Sequence, residues 1–195
     1  MHYFPVFLDA KYINAVVIGG GDVAARKIEL LLKTTKRITV ISPELSVSVK
    51  RLVEEHQLSL LAREYTLGDL QSFNLAIAAT DITSINQAVA KEGNDLNMLL
   101  NVVDEPELCS YITPAIIDRD PMIVAMSSSG KSPILIRMLR EQIEKIMPEQ
   151  YGRLADFSFK FRDHVKARVE SIKARRQFWE QVLRGKIGEA VLNGE

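Results

Sequence analysis

A glycine-rich turn between an apolar run and an amphipathic segment constrains this chain more than any other feature. The run 13–18 is rich in β-branched residues and leads into three glycines, and a helix is predicted from about Val23 to Lys33. Gly19, Gly21 and Ala24 fit the pattern G-x-G-x-x-A. The first glycine permits a tight turn, the second lets a pyrophosphate approach the backbone, and the alanine lets the helix pack close to the sheet. Because the helix N-terminus also offers free N–H groups to phosphates, the motif predicts dinucleotide binding. The alternative is a strand–turn–helix unit without a ligand.

Composition excludes several classes of protein. The chain has 195 residues, of which 47% are hydrophobic and 26% charged, which suits one domain with an extension. Its formal net charge of zero gives no overall case for nucleic acid as a partner, and no apolar run reaches the roughly 18 residues of a membrane span. Cys109 is the single cysteine, so no internal disulfide forms and a cytoplasmic location is expected. Residues 1–9 lack the basic start of a signal peptide and are predicted to form an edge strand.

Apolar runs alternate with helical patterns as far as Asp104. Such alternation indicates a parallel sheet with helices on both faces, and ligands of such sheets bind beyond the carboxyl ends of the strands. Further strands are predicted at 37–43, 58–65, 75–81 and 98–103, with helices at 44–56 and near 84–92. The site edge should therefore hold residues 19–23, 42–44, 79–81 and 101–104.

Residues after the second predicted strand bear on the choice of cofactor. Dinucleotide folds often place an acid there for a ribose hydroxyl, whereas here Ser42 comes first and Glu44 is late. Ser42 and the local backbone are the alternative ribose contacts, and Glu44 is equally well explained as an acid in the first turn of the next helix. No arginine directly follows Ser42 to take a 2′-phosphate, so NAD is favoured over NADP. On the same edge, Thr80 and Asp81 are further candidate cofactor contacts.

Asp104 is the strongest candidate for a catalytic carboxylate. It follows a strand with a buried pattern, and a carboxylate in that place is able to take a proton or to hold a metal ion transiently. The alternative is an Asx-type turn. Asp81 ends another strand, but for this residue the favoured explanation is turn formation, with Thr83 and Ser84 capping the following helix. The three histidines show no metal-ligand spacing.

The pattern changes after Asp104. Residues 111–117 and 122–126 are predicted to form a hairpin around the turn residues 118–121. Ser132 is a natural N-cap and Pro133 a natural first residue for a helix that extends to about residue 147. The broad apolar face of this helix predicts a dimerisation element that packs against a second copy, and the alternative is packing within one chain.

Two cationic features follow. The small-residue loop 127–132 opens a helix, which is an anion-binding arrangement, and Lys131, Arg137 and Arg140 add charge nearby. An ordinary capped helix start is an equally good explanation.

Between residues 160 and 186 there are nine Lys or Arg against three Asp or Glu, interleaved with aromatic residues. A solvated helix face is the favoured explanation, a basic wall for a multiply anionic ligand is the functional one, and nucleic acid is a weaker third.

Taken together, several motifs resemble the precorrin-2 dehydrogenase/sirohydrochlorin ferrochelatase family, which forms the N-terminal part of bacterial sirohaem synthases. The resemblance extends over essentially the whole chain. The matching stretches are Pro5–Leu8, Val17–Ala24 with Arg26 and Lys27, Ala76–Asp81, Asn101–Asp104, Ile117–Arg119 with Pro121, Ser127 and Ser128 with Gly130, Ser132 and Pro133, and Arg175–Glu180.

This resemblance implies an α/β fold with three parts. Residues 1–113 would form a Rossmann-like parallel-sheet domain that binds NAD, 114–149 a dimerisation hairpin-plus-helix segment, and 150–195 a small all-helical C-terminal domain. It implies a homodimer that oxidises precorrin-2 to sirohydrochlorin with NAD and, in many members, inserts Fe2+ to give sirohaem. The family's essential aspartate falls on Asp104, and its NAD contacts fall on Asp22, Val23, Pro43 and Glu44.

The multiply carboxylated tetrapyrrole implied by the resemblance gives the cationic residues a role. Arg119, Lys131, Arg137 and Arg140 become predicted substrate contacts. Asn101 and Ser128 complete the predicted substrate set, and in one relative the serine that matches Ser128 is phosphorylated. The alternatives are a dehydrogenase that works with a separate chelatase, and an NAD-sensing regulatory domain.

Overall fold

The structure is a computed structural model that describes residues 2–194. Met1 and Glu195, which belong to the predicted edge strand and the predicted helical domain, lie outside the described residues. The chain divides into two compact units, Met1–Ile112 and Thr113–Glu195.

The first unit contains a five-stranded parallel sheet in the order β3-β2-β1-β4-β5. Every residue of β1 and β4 is buried, because these central strands are covered on both faces, and this explains their continuous apolar runs. The strands are β1 (Ala15–Ile18), β2 (Ile38–Ile41), β3 (Ser59–Leu61), β4 (Leu75–Ala78) and β5 (Leu99–Val102).

Helices cover both faces of this sheet, as the alternating pattern predicts. The helices are α1 (Asp22–Leu32), α2 (Val47–His56) and α3 (Thr83–Asp95). Buried residues of α1 and α2 share one core with Val17 of β1, whereas buried residues of α3 share a second core with Val16 and Ile18. Successive residues of β1 therefore face opposite helical layers.

The predicted N-terminal edge strand is wrong. Within residues 2–9 the chain pairs with no strand, and Phe4 and Phe7 are 83% and 71% exposed. Pro5 has no N–H to donate to a ladder, and the segment instead leads into a short 3-10 turn, Ala10–Tyr12, in which the Asp9 side chain accepts from the Lys11 N–H at 3.1 Å. The edges of the sheet are β3 and β5.

Side chains satisfy the outer edge of β5. A 3-10 turn, Pro106–Leu108, brings the following residues back alongside this strand. The hydroxyl of Ser110 accepts from the Leu100 N–H at 2.8 Å and donates to the Met98 carbonyl at 3.1 Å, and the Cys109 sulfur accepts from the Val102 N–H at 3.1 Å. The edge groups of β5 are therefore not left open for pairing with another strand.

The second unit begins with a hairpin, as predicted, and continues with helices. The first strand of the hairpin starts four residues later than predicted and includes Asp118 and Arg119, which were predicted as turn residues. Strands β6 (Ala115–Arg119) and β7 (Met122–Met126) pair antiparallel. As predicted, Ser132 caps α4 by accepting from the Leu135 N–H at 3.3 Å, and Pro133 is its first residue. The helices are α4 (Pro133–Ile146), α5 (Tyr151–Arg168), α6 (Ile172–Arg184) and α7 (Lys186–Asn193).

Helix α5 packs closely against the hairpin turn and against α6. A Cβ added at Gly152 would lie 2.1 Å from the Asp120 carbonyl oxygen, so this contact needs glycine. Phe157 of α5 packs edge-on against Trp179 of α6, with ring centroids 6.4 Å apart. Among residues 2–194, none of the helices combines the length and the apolar character needed to cross a bilayer.

Candidate functional site

The glycine turn after β1 has two tightly packed positions and one open position. Gly19 has a φ of +122°, and an added Cβ would lie 2.2 Å from the Ala79 carbonyl oxygen. At Gly20 the Cβ would lie 2.0 Å from the Glu44 carbonyl oxygen. Gly21 differs, because an added Cβ would meet no atom of residues 2–194 within 4 Å, although this residue is the N-cap of α1. The backbone at Gly21 therefore faces open space at a helix N-terminus, which suits the approach of a phosphate.

This turn forms the floor of a cleft of about 450 Å³ at the carboxyl edge of the sheet. The cleft gathers every cofactor residue that the sequence predicts: Gly19, Gly21, Asp22, Val23, Ser42, Pro43, Glu44, Thr80 and Asp81. That these residues contact a cofactor stays a prediction, but the fold places them around one space. Glu64, Tyr65, Ile82 and Ile85 also line the cleft, and they were not predicted.

Backbone hydrogen bonds tie the loops around the cleft to each other. The Gly19 N–H donates to the Ile41 carbonyl at 3.0 Å, and the Ser46 N–H donates to the Gly20 carbonyl at 2.7 Å. The buried Ser42 hydroxyl donates to the Glu44 carbonyl at 2.7 Å. Ser42 therefore shapes the turn after β2, and its single proton is already used.

Glu44 is exposed and lies before α2. That helix begins at Val47, and its first turn contains no acid, so the explanation of Glu44 as a first-turn acid is wrong. The helix is capped instead by Ser46, whose hydroxyl accepts from the Val49 N–H at 3.3 Å. The Glu44 carboxylate is left at the cleft without a capping role.

The loop after β4 is held by an asparagine. The Thr80 hydroxyl donates to the buried Asn86 side chain at 2.8 Å and accepts from the Ile82 N–H at 3.2 Å. Helix α3 begins after Ile82 without a side-chain cap, so the predicted capping by Thr83 and Ser84 is wrong. The loop is fixed from within the protein, and the exposed Asp81 remains at the cleft.

The wall formed by Glu64 and Tyr65 depends on a distant residue. The Tyr65 hydroxyl donates to the carboxylate of Glu92, a buried residue of α3. Burial and this hydrogen bond raise the pKa of Tyr65 far above its usual value. Nothing near Tyr65 in the sequence signals this contact, because its partner is 27 residues away.

An ion pair closes the same loop. Arg63 binds Asp69 through two nitrogens at 2.6 and 2.7 Å, and Asp69 also accepts from the Thr66 N–H at 2.8 Å. The hydrogen bonds from Arg63, opposed by burial and aided by Thr66, lower the pKa of Asp69 to about 2. The loop that carries Glu64 and Tyr65 is therefore structured by its own side chains.

Asp104 lies at the same edge of the sheet, after β5. The Val103 N–H donates to the Ala78 carbonyl at 2.9 Å, which places the turn beside the end of β4. Asp104 has a φ of +61°, is exposed, and its carboxylate accepts no hydrogen bond from residues 2–194. The chain turns here, but no Asx-type bond holds the turn, so the carboxylate is available for chemistry.

Lys27 is within electrostatic reach of Asp104. Burial lowers the pKa of this half-buried ammonium on α1, the charges of Cys109 and Asp104 oppose that effect, and Arg26 adds to it. Among the described residues, no group of three or more His, Cys, Asp or Glu side chains is arranged to hold a metal ion.

The predicted substrate residues are divided between the units. Asn101 is buried in the first unit, where its amide nitrogen donates to the Tyr111 carbonyl at 3.3 Å and its oxygen has no partner among the described residues. In the second unit, Arg119 donates to the Met147 carbonyl at 3.1 Å, and the Ser128 hydroxyl accepts from the Ser132 N–H at 2.9 Å. These contacts give Asn101, Arg119 and Ser128 structural tasks, while their contact with substrate stays a prediction.

The remaining predicted contacts lie on or before α4. Arg140 pairs with Glu144 at 2.9 Å, and Arg137 lies 3.8 Å from Glu141. All four side chains are on one exposed helix, where ion pairs are weak. The two arginines can therefore exchange their glutamate partners for another anion. Lys131 is exposed.

Comparisons with known proteins identify the family of the chain. The model of the family described as "Putative NAD(P)-binding" matches residues 6–115, and that of the "Sirohaem synthase dimerisation region" matches residues 150–195. The siroheme synthase of Pseudoalteromonas atlantica is 47% identical over 194 residues, and that of Chromobacterium violaceum is 44% identical over 195 residues. Each alignment covers 100% of this chain but 42% of the relative, so the chain spans about two-fifths of their length.

A solved structure shares the fold. SirC, a precorrin-2 dehydrogenase, superposes with a TM-score of 0.76 at 24% identity, over 95% of this chain and 92% of that one. The first family model spans more than half of the chain, and the resemblance inferred from the motifs is confirmed. The chain belongs to the NAD(P)-binding family, in the form in which this domain is followed by a sirohaem synthase dimerisation region.

Proposed function

We propose that this protein oxidises precorrin-2 to sirohydrochlorin with NAD in sirohaem biosynthesis. The observation that carries the proposal is that an open glycine turn at a helix N-terminus and the Asp104 carboxylate, which has no hydrogen-bond partner among the described residues, lie on the same edge of the sheet. The names of the relatives, siroheme synthase and precorrin-2 dehydrogenase, support the choice of reaction.

The cleft suits a dinucleotide without a 2′-phosphate. Its charged lining residues are all acidic, namely Asp22, Glu44, Glu64 and Asp81. Carboxylates accept hydrogen bonds from ribose hydroxyls but repel a phosphate, which supports NAD over NADP. The backbone at Gly21 and the first turn of α1 would receive the pyrophosphate. The bound dinucleotide supplies the hydride acceptor.

Asp104 would act as the general base. Oxidation of precorrin-2 removes a hydride and a proton, and the proton needs an acceptor within reach of the reacting edge. The Asp104 carboxylate is exposed and no described residue donates a hydrogen bond to it, so it can receive that proton and later release it to solvent. The proposed substrate contacts are Asn101, Arg119, Ser128, Lys131, Arg137 and Arg140, of which the cationic residues suit substrate carboxylates.

We further propose Fe2+ as a second substrate, inserted into sirohydrochlorin to give sirohaem. The support is the same carboxylate, since Asp104 can hold a ferrous ion transiently before its transfer to the macrocycle. A dehydrogenase that works with a separate chelatase is the alternative. Adding Fe2+ to sirohydrochlorin and protein without NAD distinguishes the two, because only a chelatase would produce the sirohaem spectrum.

We also propose a homodimer located in the cytoplasm. Helix α4 has no buried residue, and Ile134, Leu135, Met138 and Ile146 are at least half exposed. A second copy would cover this apolar face. The match to a dimerisation region supports a dimer in general, since it covers residues 150–195 and begins after α4. The single cysteine, Cys109, fits a reducing compartment.

One assay tests the dehydrogenase directly. The protein is mixed with precorrin-2 and NAD, and the absorbance of sirohydrochlorin is followed, with NADP at the same concentration as the comparison. We expect the absorbance to rise with NAD and to rise far more slowly with NADP. A regulatory domain that only senses NAD would bind the dinucleotide and leave the spectrum unchanged.

A further inference from the structure

Glu92 is a buried carboxylate that organises one wall of the cleft. It is 6% exposed, and it accepts from the N–H groups of Gly68 and Leu70 at 3.0 Å each and from the Tyr65 hydroxyl. A buried carboxylate is costly unless donors surround it, and here the loop provides them. The loop after β3 is therefore fastened to α3 at a point behind the cleft.

Tyr65 connects this buried point to the cleft. Its hydroxyl reaches Glu92 while its side chain also lines the cleft, so the apolar ring lies between the two. The raised pKa of Tyr65 keeps the phenol protonated, so the hydroxyl remains a donor at every physiological pH. Ile82, which is 51% exposed, and Ile85 line the cleft as well and add apolar surface to that of the ring.

The position of this wall indicates which half of a dinucleotide it would meet. Tyr65 follows β3, which pairs with β2, whereas Asp104 follows β5 on the other side of β1. If the hydride leaves substrate near Asp104, the nicotinamide lies toward β4 and β5. The adenosine half then extends toward β2 and β3, where the ring of Tyr65 lines the cleft.

We propose that Tyr65 contacts the adenine of the cofactor and that Glu92 is the positioning residue that holds it there. The inference rests on the proposed use of NAD and names a contact that the glycine motif does not supply. The face of an aromatic ring stacks on the face of any nucleobase, and removing one such ring weakens binding of the ligand by about tenfold.

The test measures the dissociation constants of NAD and of AMP, the latter by competition against NAD. Tyr65→Ala should weaken NAD and AMP by the same factor, about tenfold, because only the adenylate half loses a contact. Tyr12→Ala removes a ring at the opposite end of the sheet, before β1, and should leave both constants unchanged. Unchanged AMP binding in Tyr65→Ala, whether or not NAD binding weakens, would overturn the proposal.

The role of Glu92 is tested by a double-mutant cycle. Glu92→Gln should weaken AMP binding severalfold in the wild-type background and have no further effect in Tyr65→Ala, since it acts through the ring. Equal effects in both backgrounds would show that Glu92 only supports the fold. If Glu92→Gln does not fold, Tyr65→Phe is measured alone against the wild type, because it removes only the hydroxyl that Glu92 binds. AMP binding should again weaken severalfold, and unchanged AMP binding in Tyr65→Phe would overturn the positioning role of Glu92. A wild-type protein that binds neither ligand would contradict the proposed function itself.

Discussion

The two units of this protein bury their apolar side chains to very different degrees. In the first unit, α1, α2 and α3 close over a sheet whose central strands are wholly buried. In the described part of the second unit, the buried hydrophobic residues are Ile117, Met147 and Leu154, and α4 and α6 have none. Apolar area removed from water stabilises a fold by about 25 cal/mol per Å². The first unit therefore has its core within itself, whereas the second unit leaves apolar area for another surface to cover.

The largest effect should come from the carboxylate at the edge of the first unit. Asp104→Ala should lower kcat for precorrin-2 oxidation by about 10² to 10⁴, the usual contribution of a general base. NAD affinity should stay unchanged, because Asp104 does not line the cleft that holds the glycine turn. Steady-state kinetics with a calorimetric titration of NAD measures both quantities.

Asp95→Ala is the control for that variant, since it removes an exposed carboxylate at the end of α3. It should leave kcat unchanged. Near-normal turnover by Asp104→Ala would exclude this residue from the mechanism. The first unit would then only bind the cofactor.

The apolar face of α4 gives the next effect. Met138 is 51% exposed, and Met138→Glu should raise the dissociation constant of the homodimer roughly a hundredfold, since a two-fold interface carries the change twice. Gln87→Glu adds the same charge to an exposed position of α3 and should change nothing. Light scattering across a dilution series measures the assembly. A dimer unaffected by Met138→Glu would place the interface elsewhere.

A third pair of variants compares one helical glycine in each unit. Gly152→Ala brings a Cβ to 2.1 Å from a backbone oxygen, so the free energy of unfolding should fall by about 1–3 kcal/mol. Gly93→Ala in α3 meets only side-chain atoms at 3.4 Å and should be neutral or stabilising, as alanine usually is in a helix. Urea unfolding measures both. A larger loss of unfolding free energy in Gly93→Ala than in Gly152→Ala would mean that the second unit is loosely packed even where α5 meets the hairpin.

The smallest effect concerns the loop beside the cleft. The pKa of Asp69 is about 2 in the folded protein and near 4 in an unfolded chain, so its ionised form stabilises the fold above about pH 4 and this contribution is lost as pH falls toward 2. Asp69→Asn should cost about 1 kcal/mol at pH 6 and progressively less at lower pH. Urea unfolding at pH 6, 4 and 2.5 measures the difference, and a difference that does not change with pH would contradict the ion pair.

Much of the fold follows from local patterns. The alternation of apolar runs with helical patterns gives the parallel sheet, and the Ser132 and Pro133 pair gives the start of α4. Residues 2–9 were mispredicted because an apolar composition was taken as a strand, although Pro5 removes a donor and no neighbouring strand pairs with the segment. β3 is also shorter than predicted, since the chain leaves the sheet after Leu61.

The candidate site was predictable only where its residues follow a strand. The turn after β1 and the residues after β2, β4 and β5 are visible in the sequence, because the ends of parallel strands meet at one edge. Glu64 and Tyr65 also follow a strand, but β3 ends at Leu61, and the predicted strand at 58–65 placed both residues inside the sheet. Their place in the cleft depends on Glu92, and a hydrogen bond across 27 residues leaves no local pattern.

The most direct test of the central claim, a dinucleotide bound at the edge of the first unit, is a calorimetric titration of NAD into Gly21→Asp. Aspartate is a favoured N-cap and Gly21 has open space beside it, so the free variant should unfold at the same temperature as the wild type or slightly above it. Gly21→Ala is the uncharged comparison and should bind NAD more weakly than the wild type. We expect no detectable binding of NAD by Gly21→Asp, because its carboxylate would stand where the pyrophosphate lies. Wild-type affinity in a folded Gly21→Asp would contradict this placement of the cofactor.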